Sequence, residues 1–269
     1  MVKTAAIQMN SNDNIKENFN TAVSLINRAA ENNTKLIILP ENFLYIGKDK
    51  SIGFTESSTY IQELLKTASK KNIFICAGSF PEKTEDSKKH LNTTIMIDNH
   101  GTIISKYSKM HLFDVNINQS VETSEPAYTL YGKKPVTAET PFCKIGFTIC
   151  YDLRFPELFR KIALMGAQTI VVPSNFTYHT GKHHWEILLR ARAIENGVYI
   201  IAPNQSGTKY DGNRSYGRSM IIGPWGELIA EAQCDGNEII YADINLEKVN
   251  DARRKIPSLK HIKIFKINP

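Results

Sequence analysis

Short apolar runs alternate with longer stretches in which apolar residues return every third or fourth position. That alternation of strand and helix periods predicts an α/β protein. Residues 4–9 read as a first strand, and Asn12-Asp13 can cap a helix running to Ala30. Residues 36–39 read as a buried strand stopped by Pro40, whose ring cannot extend a ladder. A helix over 60–71 precedes a strand over 73–77, and 93–97 is expected to pair with 102–106 across the turn Asp98-Asn99-His100-Gly101. Residues 111–141 hold no sustained period and are expected to be irregular. Beyond them, strands at 144–149, 169–172 and 199–202 alternate with helices at 156–165 and 185–195. A hairpin over 219–222 and 227–230 turns through Gly223-Pro224-Trp225-Gly226. No linker or low-complexity segment interrupts the chain, so one domain over 1–269 is expected.

Composition narrows the class. With 269 residues, 42% hydrophobic and 22% charged, the chain can fill a large core and lacks the bias of disordered sequences. Gln8 and Asn10 interrupt the opening segment before any long apolar run forms, so neither a signal peptide nor a membrane span is expected. Cys76, Cys143, Cys150 and Cys234 stand far apart without a CxxC pair, which fits a reduced, cytoplasmic protein better than a disulfide framework. The formal charge of +6 and pI near 9.0 come from Lys and Arg spread along the chain. With no basic run or interleaved aromatics, that charge suits small anionic molecules and speaks against nucleic acid as a partner.

Three residues with useful chemistry follow apolar runs. Glu41 comes after 36–39 and Pro40, Lys109 after Ile103 to Ser108, and Cys150 after 145–149. Strand ends of α/β sheets gather residues distant in sequence into one crevice. There a thiol can attack, a carboxylate can take its proton, and an ammonium can hold the negative charge that develops on a carbonyl oxygen. Each residue also has a plainer reading. A Cys closing an apolar strand is usually a small buried hydrophobe, Glu41 can be a solvated loop carboxylate, and Lys109 one of many surface lysines. Position and composition leave the function open.

The local motifs change that. Leu39-Pro40-Glu41, Ser108-Lys109-Met110-His111-Leu112-Phe113-Asp114 and Cys150-Tyr151-Asp152-Leu153-Arg154-Phe155-Pro156-Glu157 closely resemble, in order and separation, the three catalytic segments of nitrilase-like carbon–nitrogen hydrolases. His184-Trp185-Glu186, 189–196, Ser215-Tyr216-Gly217 and Pro224-Trp225-Gly226 extend the resemblance over essentially the whole chain. It implies an αββα sandwich of two facing sheets, stacked as αββα-αββα in a homodimer, and an amidase that needs neither metal nor organic cofactor. It further implies Glu41 as general base, Cys150 as nucleophile and Lys109 as the cation beside the oxyanion, helped by the backbone N–H of Tyr151. A second glutamate is expected between the lysine and the cysteine, where Glu122 and Glu125 compete. Glu125 is preferred because the stretch after it ends in Gly132 as the family loop does, although Pro126 departs from the family's small polar residue.

Several other signals carry two readings. His179 and His183 have the spacing of a helical metal pair, but Gly181 intervenes and no adjacent glutamate completes an HExxH word. His111 could partner a thiol, though its context in the family is structural. Arg154 is expected either to contact substrate or to fix the turn through a salt bridge with Asp152 or a nearby carboxylate. Phe176 and Trp185 read as pocket wall or core. Asn204, Arg214 and Arg218, in or beside the polar stretch 204–217, are candidates for holding a substrate carboxylate at the pocket mouth.

Within the superfamily, residues 190–196 and 204–217 look more like deaminated-glutathione amidases than like omega-amidases of α-keto acid amides. A true nitrilase would use the same residues. A catalytically silent interaction protein would not need all three, and a glycosidase using Glu41 and Glu125 would leave Cys150 and Lys109 without roles.

Overall fold

The computed structural model describes residues 1–85, 88–116, 122–233 and 235–263. The chain opens with β1 (Val2–Gln8) and α1 (Ile15–Glu31), whose Asn14 side chain accepts the Glu17 N–H and so caps the first turn. On α1 the buried residues Ala22, Leu25, Ile26 and Ala29 recur at helical spacing and line one face. Burying each larger aliphatic side chain there is worth about 1.5–3 kcal/mol. Next come β2 (Leu36–Ile38), α2 (Thr59–Lys71), β3 (Phe74–Cys76), β4 (Phe80–Lys83), β5 (His90–Ile97) and β6 (Ile103–Ser108). The expected hairpin of the last two is present, closed by Asp98 and Gly101, with Thr94 opposite Tyr107.

The stretch expected to be irregular is not wholly so. It carries β7 (Asp114–Asn116), β8 (Glu122–Ser124), a 3-10 turn (Glu125–Ala127), β9 (Thr129–Leu130) and β10 (Thr137–Glu139). These strands have two or three residues each, too few for a period of two to register in the sequence. Then follow β11 (Lys144–Phe147), a 3-10 turn (Cys150–Arg154), α3 (Pro156–Leu164), β12 (Thr169–Val171), α4 (Tyr178–Asn196), β13 (Tyr199–Ala202), β14 (Ser206–Thr208), β15 (Arg214–Tyr216), β16 (Met220–Ile222), β17 (Leu228–Glu231), β18 (Glu238–Ile244) and α5 (Leu246–Lys255). The helix α4 begins seven residues before the expected start at Trp185 and includes Gly181, which packs against the Tyr216 ring where a Cβ would clash.

Two large sheets result. One runs β18-β1-β2-β3-β5-β4, with β6 and β9 also on β5; the other runs β10-β11-β12-β13-β16-β17. Alternate residues of the first sheet divide its faces. Ala5, Ile7, Ile37, Ile75, Ile95 and Ile97 pack on α1 and α2. Ala6, Leu36, Ile38, Cys76 and Met96 share a core with Ile145, Phe147, Ile170, Ile200 and Ile221 of the second sheet. The helices α3 and α4 cover that sheet's far side through Phe159, Ile162, Trp185 and Leu189. The fold is the expected αββα sandwich. No described helix is long and apolar enough to cross a membrane.

In both sheets the central strands are parallel, β1-β2-β3 and β11-β12-β13, so their carboxyl ends open on one side. There a parallel bridge from Met9 to Gln205 ties the sheets together, and a second, Ser174 to Asn204, extends the β12–β13 pairing. Gln205 accepts the Ser11 N–H and donates to the Glu41 carbonyl oxygen at 2.9 Å. The crevice lies directly beyond these ends.

Candidate active site

Cys150 follows β11 and holds φ +46°, in the left-handed region that non-glycine residues seldom occupy. Such a conformation costs on the order of 1–3 kcal/mol. It persists because the turn is over-determined. The Cys150 N–H donates to the Pro173 carbonyl at 2.9 Å, and the buried Asp152 carboxylate accepts from Ile149 N–H, Tyr107 hydroxyl, and the backbone N–H and Nδ1–H of His111. One carboxylate thus fastens the thiol's turn to the segment that carries Lys109. His111 stacks on Phe155 with ring centroids 3.6 Å apart and is engaged with Asp152 rather than with the thiol.

Lys109 leaves the end of β6 and is 2% exposed. Its ammonium lies 2.9 Å from a Glu41 oxygen and 2.9 Å from a Glu125 oxygen. Asn92, on β5, donates from one side-chain nitrogen to both carboxylates at 2.9 and 3.2 Å. The Asn175 N–H donates to the other Glu41 oxygen at 2.8 Å, and the Phe113 N–H to Glu125 at 2.7 Å. Gly132 closes the segment: its N–H donates to the Lys109 carbonyl at 2.7 Å, and a Cβ there would stand 1.9 Å from the Ser108 carbonyl oxygen. Glu125 is therefore the second glutamate that reaches the lysine. Glu122 lies on β8, and its side chain falls outside the described residues.

The electrostatics follow from this packing. Burial alone would lower the Lys109 pKa, but the charges of Glu125 and Glu41 overcome it and hold the ammonium well above its usual range. Burial pushes the Cys150 thiol well above the ordinary cysteine value, the Glu41 charge adds to this, and Lys109 opposes it only in part. One ammonium already faces two carboxylates, so a preformed thiolate would add a second uncompensated charge. Burial and the Glu41 charge therefore favour the neutral thiol at rest.

These residues floor a cleft of about 580 Å³. Tyr151, Arg154, Phe176 and Arg214, named from the sequence as candidates for substrate contact, also line it. Three expectations are corrected. Asn204 is fully buried: its oxygen accepts the Phe176 N–H at 2.9 Å and its nitrogen donates to the Gly217 carbonyl, so it shapes the wall from behind. Arg218 turns away from the cleft and pairs with Glu231 at 2.7 Å. Arg154 makes no salt bridge with Asp152, whose oxygens are occupied; its guanidinium lies over the Tyr151 and Phe176 rings and meets His184 Nδ1 at 3.2 Å. Arg214 pairs with Asp235 at the rim. Trp185 is core: it packs on Phe176 and donates to the Arg218 carbonyl.

Asn92, Asn175 and Gln205 had no motif to announce them. The available signal was the polar run Asn92-Thr93-Thr94 inside an otherwise apolar strand. His179 and His183 line a shallow groove beside Arg154, and no cluster of metal-binding side chains is found among the described residues.

The profile of the carbon-nitrogen hydrolase family matches residues 3–254. A protein named deaminated glutathione amidase from Synechocystis sp. is 39% identical over 263 residues, covering 96% of each chain. One of the same name from Dictyostelium discoideum is 38% identical, covering 96% of this chain and 92% of its own. Among solved structures, the Caenorhabditis elegans NitFhit protein superposes with a TM-score of 0.91 at 34% identity over 97% of this chain, which spans 65% of that longer one. A Saccharomyces cerevisiae member of branch 10 of the nitrilase superfamily gives 0.85 at 32% identity, covering 95% and 94%.

Proposed function

The chain belongs to the carbon–nitrogen hydrolase family, and from that premise we propose that it is a small-molecule amidase working through a thioester on Cys150. The observation that carries this reading is the buried triad itself, Lys109 held 2.9 Å from both Glu41 and Glu125 beside the thiol.

In the proposed mechanism, Glu41 takes the thiol proton as the Cys150 sulfur bonds to the amide carbon and the carbonyl π electrons move onto oxygen. Concerted removal is required because burial and the Glu41 charge keep the thiol protonated at rest. Lys109 has three N–H donors and spends two on carboxylates, which leaves one for the oxyanion; the backbone N–H of Tyr151 supplies another. Collapse re-forms the carbonyl and breaks the C–N bond. The amine, which is ammonia when the amide is primary, leaves with the proton returned by Glu41. Glu41 then takes a proton from water as the water oxygen attacks the thioester, and the thiolate departs to recover that proton. The sum is amide plus water giving acid plus amine. Glu125 and Asn92 keep the lysine and base in register, and the Asn175 N–H fixes the second Glu41 oxygen. Arg154, without a carboxylate partner among the described residues, contacts the substrate near the thiol.

The names carried by the Synechocystis and Dictyostelium relatives support deaminated glutathione as the substrate. We also assign the protein to the cytoplasm as a homodimer. The buried free thiols Cys76 and Cys143 suit a reducing compartment, and Ile187, Ile194 and Trp225, each more than half exposed, offer an apolar surface to a second copy. Product release across a panel of amides and nitriles tests the reading, with ammonia measured for primary amides and nitriles and the amine cysteinylglycine for deaminated glutathione. Deaminated glutathione is expected to be turned over with a higher kcat/KM than α-ketoglutaramate; hydrolysis of nitriles alone would overturn the amidase assignment.

A further inference from the structure

Lys209 stands in the turn between β14 and β15 and lines the same cleft. Its ammonium is largely buried yet meets only neutral acceptors: the Ser206 carbonyl at 2.8 Å, Asn10 Oδ1 at 3.0 Å, the Ser11 carbonyl at 3.2 Å and Gln205 Oε1 at 3.4 Å. Removing a cation from water is costly, and burial lowers its pKa to about 7, an effect that the Asp211 charge opposes only in part. The next residue, Tyr210, accepts through its hydroxyl from Lys50 at 3.0 Å, and the Lys50 ammonium also lies over the Tyr210 and Tyr128 rings. Both lysines line the cleft and are connected through the Lys209–Tyr210 turn, and Gln205 links the Lys209 cage to the Glu41 carbonyl. Arg154 lines the cleft from the turn after Cys150.

The acids nearby do not neutralise this pair. Asp49 accepts from the Ser51 N–H and hydroxyl, Asp211 accepts from the Asn213 backbone and side chain, and Asp235 is paired with Arg214. Room for an anion exists in the bonding as well. The longest Lys209 contact is to Gln205 Oε1, which already accepts the Ser11 N–H at 2.9 Å, so releasing the lysine leaves no buried oxygen unpaired. Lys50 spends two of its donors, on the Gly47 carbonyl and Tyr210.

We infer that Lys209 and Lys50 form a carboxylate-binding subsite that selects amides whose acyl chain carries an anionic group, an inference that rests on the amidase reading above. A bound carboxylate supplies the counter-charge that the cage lacks. A purely structural Lys209, tying the β14–β15 turn to the end of β1, would make a different prediction: its loss would lower stability without discriminating between charged and neutral ligands.

The test uses matched primary amides, an ω-carboxy amide series and uncharged alkyl amides of equal length, with ammonia release as readout. The wild-type kcat/KM ratio of acid to neutral substrate should exceed roughly tenfold, and Lys209→Met and Lys50→Met should each cut that ratio by about tenfold, mainly through KM. A control at the exposed Lys133, Lys133→Met, should not. Calorimetric binding of glutarate reads the subsite even if no amide is turned over, so failure of the amidase reading is distinguished from failure of the subsite. Glutarate affinity should weaken as pH rises from 6 to 8, because Lys209 loses its proton near 7 while both glutarate carboxylates stay ionised. Lys209→Arg, charged throughout, should flatten that profile. The other titratable groups facing the lysines are Asp211, Tyr210, Asp49, whose hydrogen bonds from Ser51 hold it below the usual carboxylate range, and His90, whose burial moves it below the usual histidine range. Unaltered ratios and glutarate affinities in folded Lys209→Met and Lys50→Met proteins would overturn the inference.

Discussion

Removing the Lys109 ammonium while leaving its two partners in place should be among the most damaging substitutions in the protein. In Lys109→Met the side chain is nearly isosteric, so the loss is electrostatic. Glu41 and Glu125, both buried, lose a cation at 2.9 Å each and keep only Asn92, Asn175 and Phe113 N–H groups as donors. Breaking a buried ion pair from one side typically costs about 3–5 kcal/mol, because the partner's desolvation is no longer offset. Here two partners are stranded, which places the loss at the upper end, on the order of 10 °C or more in Tm for a chain of this size. The double variant Lys109→Met/Glu125→Gln removes one of the stranded charges. It should therefore be more stable than Lys109→Met alone by about 1.5–3 kcal/mol, a non-additivity expected of groups in contact. Urea denaturation of the wild type, both single variants and the double completes the cycle. A double variant as unstable as the sum of the singles would refute the claim that Lys109 is held as the counter-ion of both glutamates.

Two further outcomes follow from the same packing. Iodoacetamide should alkylate Cys150 slowly at neutral pH, with a rate that keeps climbing as pH rises past 9, since burial and Glu41 raise the thiol's pKa; a plateau by pH 7 would mean that a thiolate is preformed. Gly132→Ala should destabilise the fold by about 1–3 kcal/mol or more and depress kcat, because its Cβ would displace the Ser108 carbonyl next to Lys109. Wild-type Tm and kcat in that variant would show that the Lys109 segment adjusts freely.

Much of this arrangement was legible before the coordinates. The α/β class and the central strands followed from apolar runs long enough to show a period, with Glu41, Lys109 and Cys150 at their ends, whereas the αββα layering came only from the family resemblance. The same resemblance, in the run to Gly132, favoured Glu125 over Glu122. What the sequence hid has physical causes. The short β7–β10 strands are too brief for periodicity, and β18 (Glu238–Ile244), the terminal strand of its sheet, buries only Ile240, Ala242 and Ile244. Asn204 and Arg218 lie within or just past the right polar stretch, but composition does not say which way a side chain points: one faces into the scaffold and the other pairs with Glu231. Lys209, in the same stretch, was overlooked because one lysine among many carries no mark of burial.

Intact-protein mass spectrometry after rapid quench tests the central claim most directly. During turnover of an amide, the proposed mechanism predicts an adduct equal to the substrate minus its leaving amine, ammonia in the case of a primary amide, mapping by digestion to the peptide containing Cys150. It should be absent in Cys150→Ala and should fail to build up in Glu41→Gln, where an amide can neither accept the thiol proton nor activate water. Hydrolysis by a folded Cys150→Ala protein, or an adduct carried on another residue, would contradict the account.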